Sequence, residues 1–162
     1  MTDKRNRRMS DAMHKAARYI VDDCLDHDIG MVIVGYTQDF KRSCNMGKRN
    51  NQNFTQIPFG DLRQYLKTLC ERYGLEYVET EESYTSKSSF LDGDELPVYN
   101  PAQPYTGNFS GKRVKRGLYR TKAGLLLNAD VNGAANIAGK VNGSDMRPPM
   151  GLLASPQRIR LT

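Results

Sequence analysis

Residues 125–140 read LLLNADVNGAANIAGK, and the fold turns on how this stretch is understood. Three leucines pass into Asn128, Ala129 and Asp130 and then into a run of small residues. Asn128 is a good helix N-cap, because its side-chain oxygen can accept from the first free backbone N–H groups. Behind it Val131, Ala134, Ala135, Ile137 and Ala138 recur near the i, i+3, i+4, i+7 spacing of a buried helical face. The stretch therefore predicts a helix that carries Asp130 in its first turn. A carboxylate there has two readings: it satisfies the positive end of the helix dipole, or it holds a cation together with ligands from elsewhere in the chain.

Upstream, residues 109–122 read FSGKRVKRGLYRTK, with Lys112, Arg113, Lys115, Arg116, Arg120 and Lys122 and no acid. Phe109 and Tyr119 lie among these cations, and Gly111 and Gly117 would let the backbone approach a phosphate closely. Nucleic-acid contact is favoured over a merely solvated loop. Between Pro97 and Tyr105 three prolines and few core residues predict an irregular insertion. Before it, TEESYTSKSSFLDGDELP follows Glu79 and places Glu81 and Glu82 at the end of a strand, where open α/β sheets bind their ligands. Crowded carboxylates repel one another, so they mark either a cation site or a solvated acidic turn.

The N-terminal half supplies the scaffold. Lys4, Arg5, Arg7 and Arg8 form a basic lead-in, Ser10 is a candidate cap, and Ala12, Met13, Ala16, Ala17, Ile20, Val21, Cys24 and Leu25 follow helical spacing. Met31 to Val34 is a short apolar strand ending at Gly35 and Tyr36. Pro58 opens a second helix whose buried face is Phe59, Leu62, Leu66, Leu69, Cys70 and Tyr73, and Gly74 closes it. Leu75, Tyr77 and Val78 begin another strand. Helix, strand, helix, strand argues for an α/β layer with parallel pairing. In between, Lys41, Arg42, Lys48 and Arg49 interleave with Phe40 and Phe54, which suits either a solvated loop or a single-stranded nucleic acid.

Composition agrees with an anionic partner. In 162 residues Lys and Arg outnumber Asp and Glu by 24 to 18, a formal net charge of +6. Cys24, Cys44 and Cys70 are far apart and form neither a CxxC pair nor an even disulfide set. His14 and His27 are also too widely separated to be read as a metal pair. No apolar run approaches a membrane span and the start is too charged for a signal peptide, so a soluble, cytoplasmic protein without a membrane partner is expected.

Four segments taken together, GYTQDFKRSCNMGKRNNQNFTQIPF, TEESYTSKSSFLDGDELP, FSGKRVKRGLYR and NADVNGAANI, closely resemble the C-terminal half of the transposon-encoded TnpB proteins. Those are relatives of type V CRISPR effectors and of the eukaryotic Fanzor nucleases. The resemblance implies an α/β fold of the RNase H-like (RuvC) kind, N-terminally truncated so that the first strands of the sheet are missing. It divides the chain into a RuvC-like core at 1–82, an irregular basic insertion at 83–127 in place of a zinc ribbon, a final helix at 128–140 and a loose tail at 141–162. It also implies RNA-guided cleavage of DNA with magnesium or manganese, guide RNA and DNA as partners, and a role in transposon DNA recombination.

By the same resemblance, Asp130 is the third catalytic carboxylate and a metal ligand. Gly35 stands where the second, a Glu, usually lies, and Glu82, with Glu81 next, matches the substitute that a sub-group carries before its TyrThrSerLys motif. Lys112, Arg113, Lys115, Arg116 and Arg120, with Lys41, Arg42, Lys48 and Arg49, are the expected phosphate contacts. Ser88, Ser89, Asp92 and Gly93 replace the first cysteine pair of the ribbon, so no zinc is expected. The first catalytic Asp belongs to a strand upstream of the first helix, and Asp3 does not replace it. The chain is thus expected to be a fragment, inactive alone, that needs a missing N-terminal segment supplied by another chain. The alternatives are a nuclease-deficient nucleic-acid-binding module and a decayed transposase remnant.

Overall fold

The computed structural model describes residues 2–36 and 58–143. Lys41, Arg42, Lys48, Arg49, Phe40 and Phe54, and the tail beyond residue 143, lie outside them. The element order is α1 (Thr2–Asp26), β1 (Met31–Tyr36), α2 (Phe59–Tyr73), β2 (Glu76–Glu81), β3 (Lys112–Lys115), β4 (Leu118–Arg120), β5 (Leu126–Asn128) and α3 (Ala129–Asn142). Two units are distinguishable. One holds α1, α2 and the first parts of β1 and β2, and the other holds residues 35–36 and 79–143.

In the first unit the apolar stripes of two helices form the core, which is centred on buried Ala17, Val21, Leu66 and Cys70. Ile20, Val32, Val34, Leu62, Tyr65, Leu69, Leu75 and Tyr77 pack around them. α1 is longer than its apolar period predicts, because the basic lead-in is itself helical. Ser10 is therefore inside the helix and not its cap, and its hydroxyl lies 3.4 Å from that of Tyr65. α2 begins after Pro58, and Gly74 closes it in the left-handed conformation (φ 74°), donating its N–H to the Cys70 carbonyl. The ends of the expected buried face are exposed. Phe59 and Tyr73 each retain 38% of their surface, and the Tyr73 ring instead carries Arg18, whose guanidinium also pairs with Asp22.

β1 and β2 form a parallel pair. Glu76 N–H donates to the Gly30 carbonyl (2.9 Å) and Glu82 N–H to the Tyr36 carbonyl (3.2 Å), the same offset at both ends. Every residue of β1 is half-buried. The continuous cover expected from its apolar run is not complete among the described residues, where β2 is its one hydrogen-bonded neighbour.

The second unit departs most from expectation. Residues 112–128 are not irregular but form an antiparallel sheet in the order β3-β4-β5. Its register pairs Lys112 with Arg120 and Arg120 with Leu126, Arg113 with Tyr119 and Tyr119 with Leu127. Tyr119 and Leu127 face inward onto Ala129 and Leu91. Strands of three or four residues with at most one buried side chain each show no measurable alternation, so the density of cations hid them.

The Tyr119 ring is fully buried and its hydroxyl donates to the Lys87 carbonyl (2.7 Å). Burial, reinforced by Asp94 nearby, pushes its pKa from 10 up to about 12. A raised folded-state pKa means that stability is complete below pH 10 and is lost as pH climbs from 10 toward 12. A shift of two units amounts to about 3 kcal/mol. Urea midpoints measured between pH 8 and 12 should fall over that window, and Tyr119→Phe should flatten the fall.

Candidate metal centre and nucleic-acid surface

α3 is fixed by its asparagines, which the sequence reading passed over in favour of its alanines. Asn128 caps the helix, accepting from the backbone N–H groups of Asp130 (2.8 Å) and Val131 (3.1 Å). The residues that the fold buries most completely are Ala129, Asn132, Asn136 and Gly139, whereas Val131, Ala135, Ile137 and Ala138 are half-buried and Ala134 is exposed. The helix is therefore rotated from the expected orientation, and its buried stripe is polar. Asn132 accepts from the Phe90 N–H (3.1 Å) and donates to the Ser88 carbonyl (2.8 Å), and Asn136 donates to the carbonyls of Thr85 and Ser88 (2.8 Å each). Buried amides of this kind hold a loop that has no ladder of its own. The repeated Asn spacing was the available signal.

This anchoring leaves Asp130 on the surface, with 83% of its side chain exposed and Arg113 Nη2 3.5 Å from its Oδ1. So exposed a pair adds at most about 1 kcal/mol, and a cation could displace the arginine readily.

Glu82 is far more constrained. Its N–H is held by Tyr36, and its carbonyl accepts from the Thr85 N–H (3.3 Å) and hydroxyl (2.8 Å). Its carboxylate lies over Gly35. A Cβ built on Gly35 would come 3.1 Å from Glu82 Oε2 and 2.6 Å from Ile137 Cδ1. The space that a side chain at position 35 would enter is thus filled by the carboxylate two strand-ends away in sequence and by α3. Gly35→Ala should displace one or the other, at about 1–3 kcal/mol of overpacking, which chemical denaturation would show directly.

Glu81 is committed elsewhere. It pairs with Lys140 and accepts from the Ser83 N–H (2.9 Å). Burial acts to raise its pKa, but the bonds from Lys140 and Ser83 outweigh it and hold the carboxyl below its usual range. Among the described residues, no group of three His, Cys, Asp or Glu side chains is placed to hold a metal ion.

Ser88, Ser89, Asp92 and Asp94 make a hydrogen-bond knot. Asp92 accepts from the Ser89 hydroxyl and the Lys122 N–H, and Asp94 accepts from the N–H groups of Ser89 and Ser110. Ser88 donates to the carbonyls of Tyr84 and Glu95. Two carboxylates thereby tie together chain segments far apart in sequence.

Residues 59–137 match the family model Cas12f1-like, TNB domain. Over this stretch the chain is similar to the Cas12f1-like proteins. Its fold is similar to that of a Cas12f1 solved by cryo-electron microscopy in a complex with sgRNA and target DNA, at a TM-score of 0.59 and 21% identity. The similarity covers 84% of this chain and 35% of that one, so the chain spans about a third of the solved relative's length. No curated protein sequence matches it significantly. No helix among the described residues is long and apolar enough to cross a membrane.

The expected phosphate contacts at 112–120 are all exposed. Lys112 and Arg120 are direct cross-strand partners, and the row continues to Leu126, which is 59% exposed. Like charges placed opposite one another are unfavourable unless an anion bridges them. Arg113 is the member of this set that an acid of the described residues neutralises.

Proposed function

We propose that this chain is part of a transposon-associated, TnpB-like RNA-guided DNA endonuclease with an RNase H-like core, and that Glu82 and Asp130 are its metal ligands. The observation that carries the reading is the Glu82 carboxylate filling the side-chain space of Gly35 against Ile137. Ile137 lies seven residues beyond Asp130 on the same stripe of α3, roughly 10 Å along the axis. A divalent-metal phosphodiesterase mechanism would draw on both carboxylates as ligands. Both ligands are hard oxygen donors, which suits magnesium or manganese. Glu81, paired with Lys140, is set aside as a ligand.

Two carboxylates do not complete a two-ion site, so further ligands would come from outside the described residues, from another chain or from substrate oxygens. When bound, the ions would activate water and stabilise the charge that develops at a DNA phosphodiester. The chain's own residues do the rest. The cations of β3 and β4 grip the nucleic-acid backbone, and Arg113 neutralises Asp130 until a cation takes its place. Manganese titration of the full chain, read by electron paramagnetic resonance, tests the assignment. Saturable binding weakened at least tenfold by Glu82→Gln and by Asp130→Asn supports it, and binding indifferent to both overturns it.

The lack of a three-acid group among the described residues favours, as a second reading, a module that binds nucleic acid without cutting it. That reading predicts salt-sensitive RNA or DNA binding that Asp130→Asn leaves untouched, together with no manganese site.

A further inference from the structure

Lys140, near the end of α3, is an enclosed cation. Its side chain is 7% exposed, paired with Glu81 and donating to the Pro97 carbonyl (3.3 Å). Lysine is rarely buried to that degree without a reason. It sits in the last turn of α3, the helix that carries Asp130 in its first turn. The other carboxylate oxygen of Glu81 accepts from Ser83 N–H, so the two residues flanking Glu82 are joined by a side chain that Lys140 holds.

We propose that Lys140 is a positioning residue that sets the location of the Glu82 carboxylate through Glu81. One rigid helix then bears Asp130 at its start and, near its end, the pin that holds the strand end presenting Glu82. The spacing between the two carboxylates is set by the helix and not by the loop after β2. The inference rests on the assignment of Glu82 and Asp130 as metal ligands.

The test is manganese affinity of the full 162-residue chain by calorimetry. Wild type is compared with Lys140→Met, Lys140→Arg, Glu82→Gln and the double variant Lys140→Met with Glu81→Gln. Outer-shell partners of this kind usually change metal affinity by about 10- to 100-fold. Lys140→Met should weaken manganese by that factor, and Lys140→Arg should restore most of it. The sign is decisive, because simple removal of a positive charge near a cation site strengthens binding. The double variant leaves the net charge unchanged and avoids a buried unpaired carboxylate, so it serves if Lys140→Met does not fold. It too should bind manganese more weakly.

Affinity unchanged or increased in the folded Lys140 variants, while Glu82→Gln weakens binding, overturns the positioning role alone. If Glu82→Gln itself is without effect, the ligand assignment falls, and the positioning role falls with it.

Discussion

Replacing Lys112, Lys115, Arg116 and Arg120 with glutamine should lower affinity for single-stranded DNA by about 100- to 1,000-fold at low salt. The logarithmic salt slope should become shallower by about 3, since each phosphate neutralised on a single strand contributes about 0.7. All four side chains are exposed, and Lys112 lies directly across from Arg120 on the neighbouring strand. Folding does not require them there: exposed substitutions usually move stability by about 0.5 kcal/mol or less, and relieving a like-charge pair moves it upward. The expected result is a chain that melts as wild type does and binds poorly. Fluorescence anisotropy at two or more salt concentrations separates this from general loss of fold. Undiminished binding would move the nucleic-acid contact away from this sheet.

The largest stability effect is expected at the buried amides of α3. Asn132→Leu removes both hydrogen bonds of that side chain and leaves the Phe90 N–H without its partner, while Asn136→Leu removes donors to Thr85 and Ser88. Each group stranded in the interior costs about 1–3 kcal/mol, so either variant should lose about 2–4 kcal/mol. Because both residues brace the same loop and share the Ser88 carbonyl, the double variant should lose less than the sum of the singles. Denaturation midpoints of the four proteins measure the coupling. Losses below about 0.5 kcal/mol would show that apolar packing, not this network, holds the helix.

These asparagines also show where the sequence was legible. Elements defined by apolar period or by a strong terminator were readable: the order helix, strand, helix, strand follows from residues 12–25, Met31–Val34, Pro58 and Gly74. What escaped was structure specified by polar groups. The buried stripe of α3 runs through asparagines, so an apolar template chose the wrong face. The short strands of residues 112–128 carry their identity in Tyr119 and Leu127, too few positions for a period to emerge. Ser10 resembled a cap only because the helix around it begins with charged residues.

The candidate site was partly visible in the same way. Asp130 and its cap could be placed from Asn128 alone. Glu81 and Glu82 are adjacent at the end of a strand and point to opposite faces, so their surroundings differ in a way only the three-dimensional structure displays. The structure ties Glu81 to Lys140 and lays Glu82 over Gly35, and no local pattern distinguishes the two acids beforehand.

Paramagnetic broadening by bound manganese, mapped on the amide resonances of the isotopically labelled chain, tests the central assignment most directly. The amides of Tyr36, Ser83 and Val131 should broaden together at sub-stoichiometric manganese and recover in Glu82→Gln. Broadening confined to Asp92 and Asp94, or spread over the acidic residues of α1, would place the cation elsewhere and contradict the account.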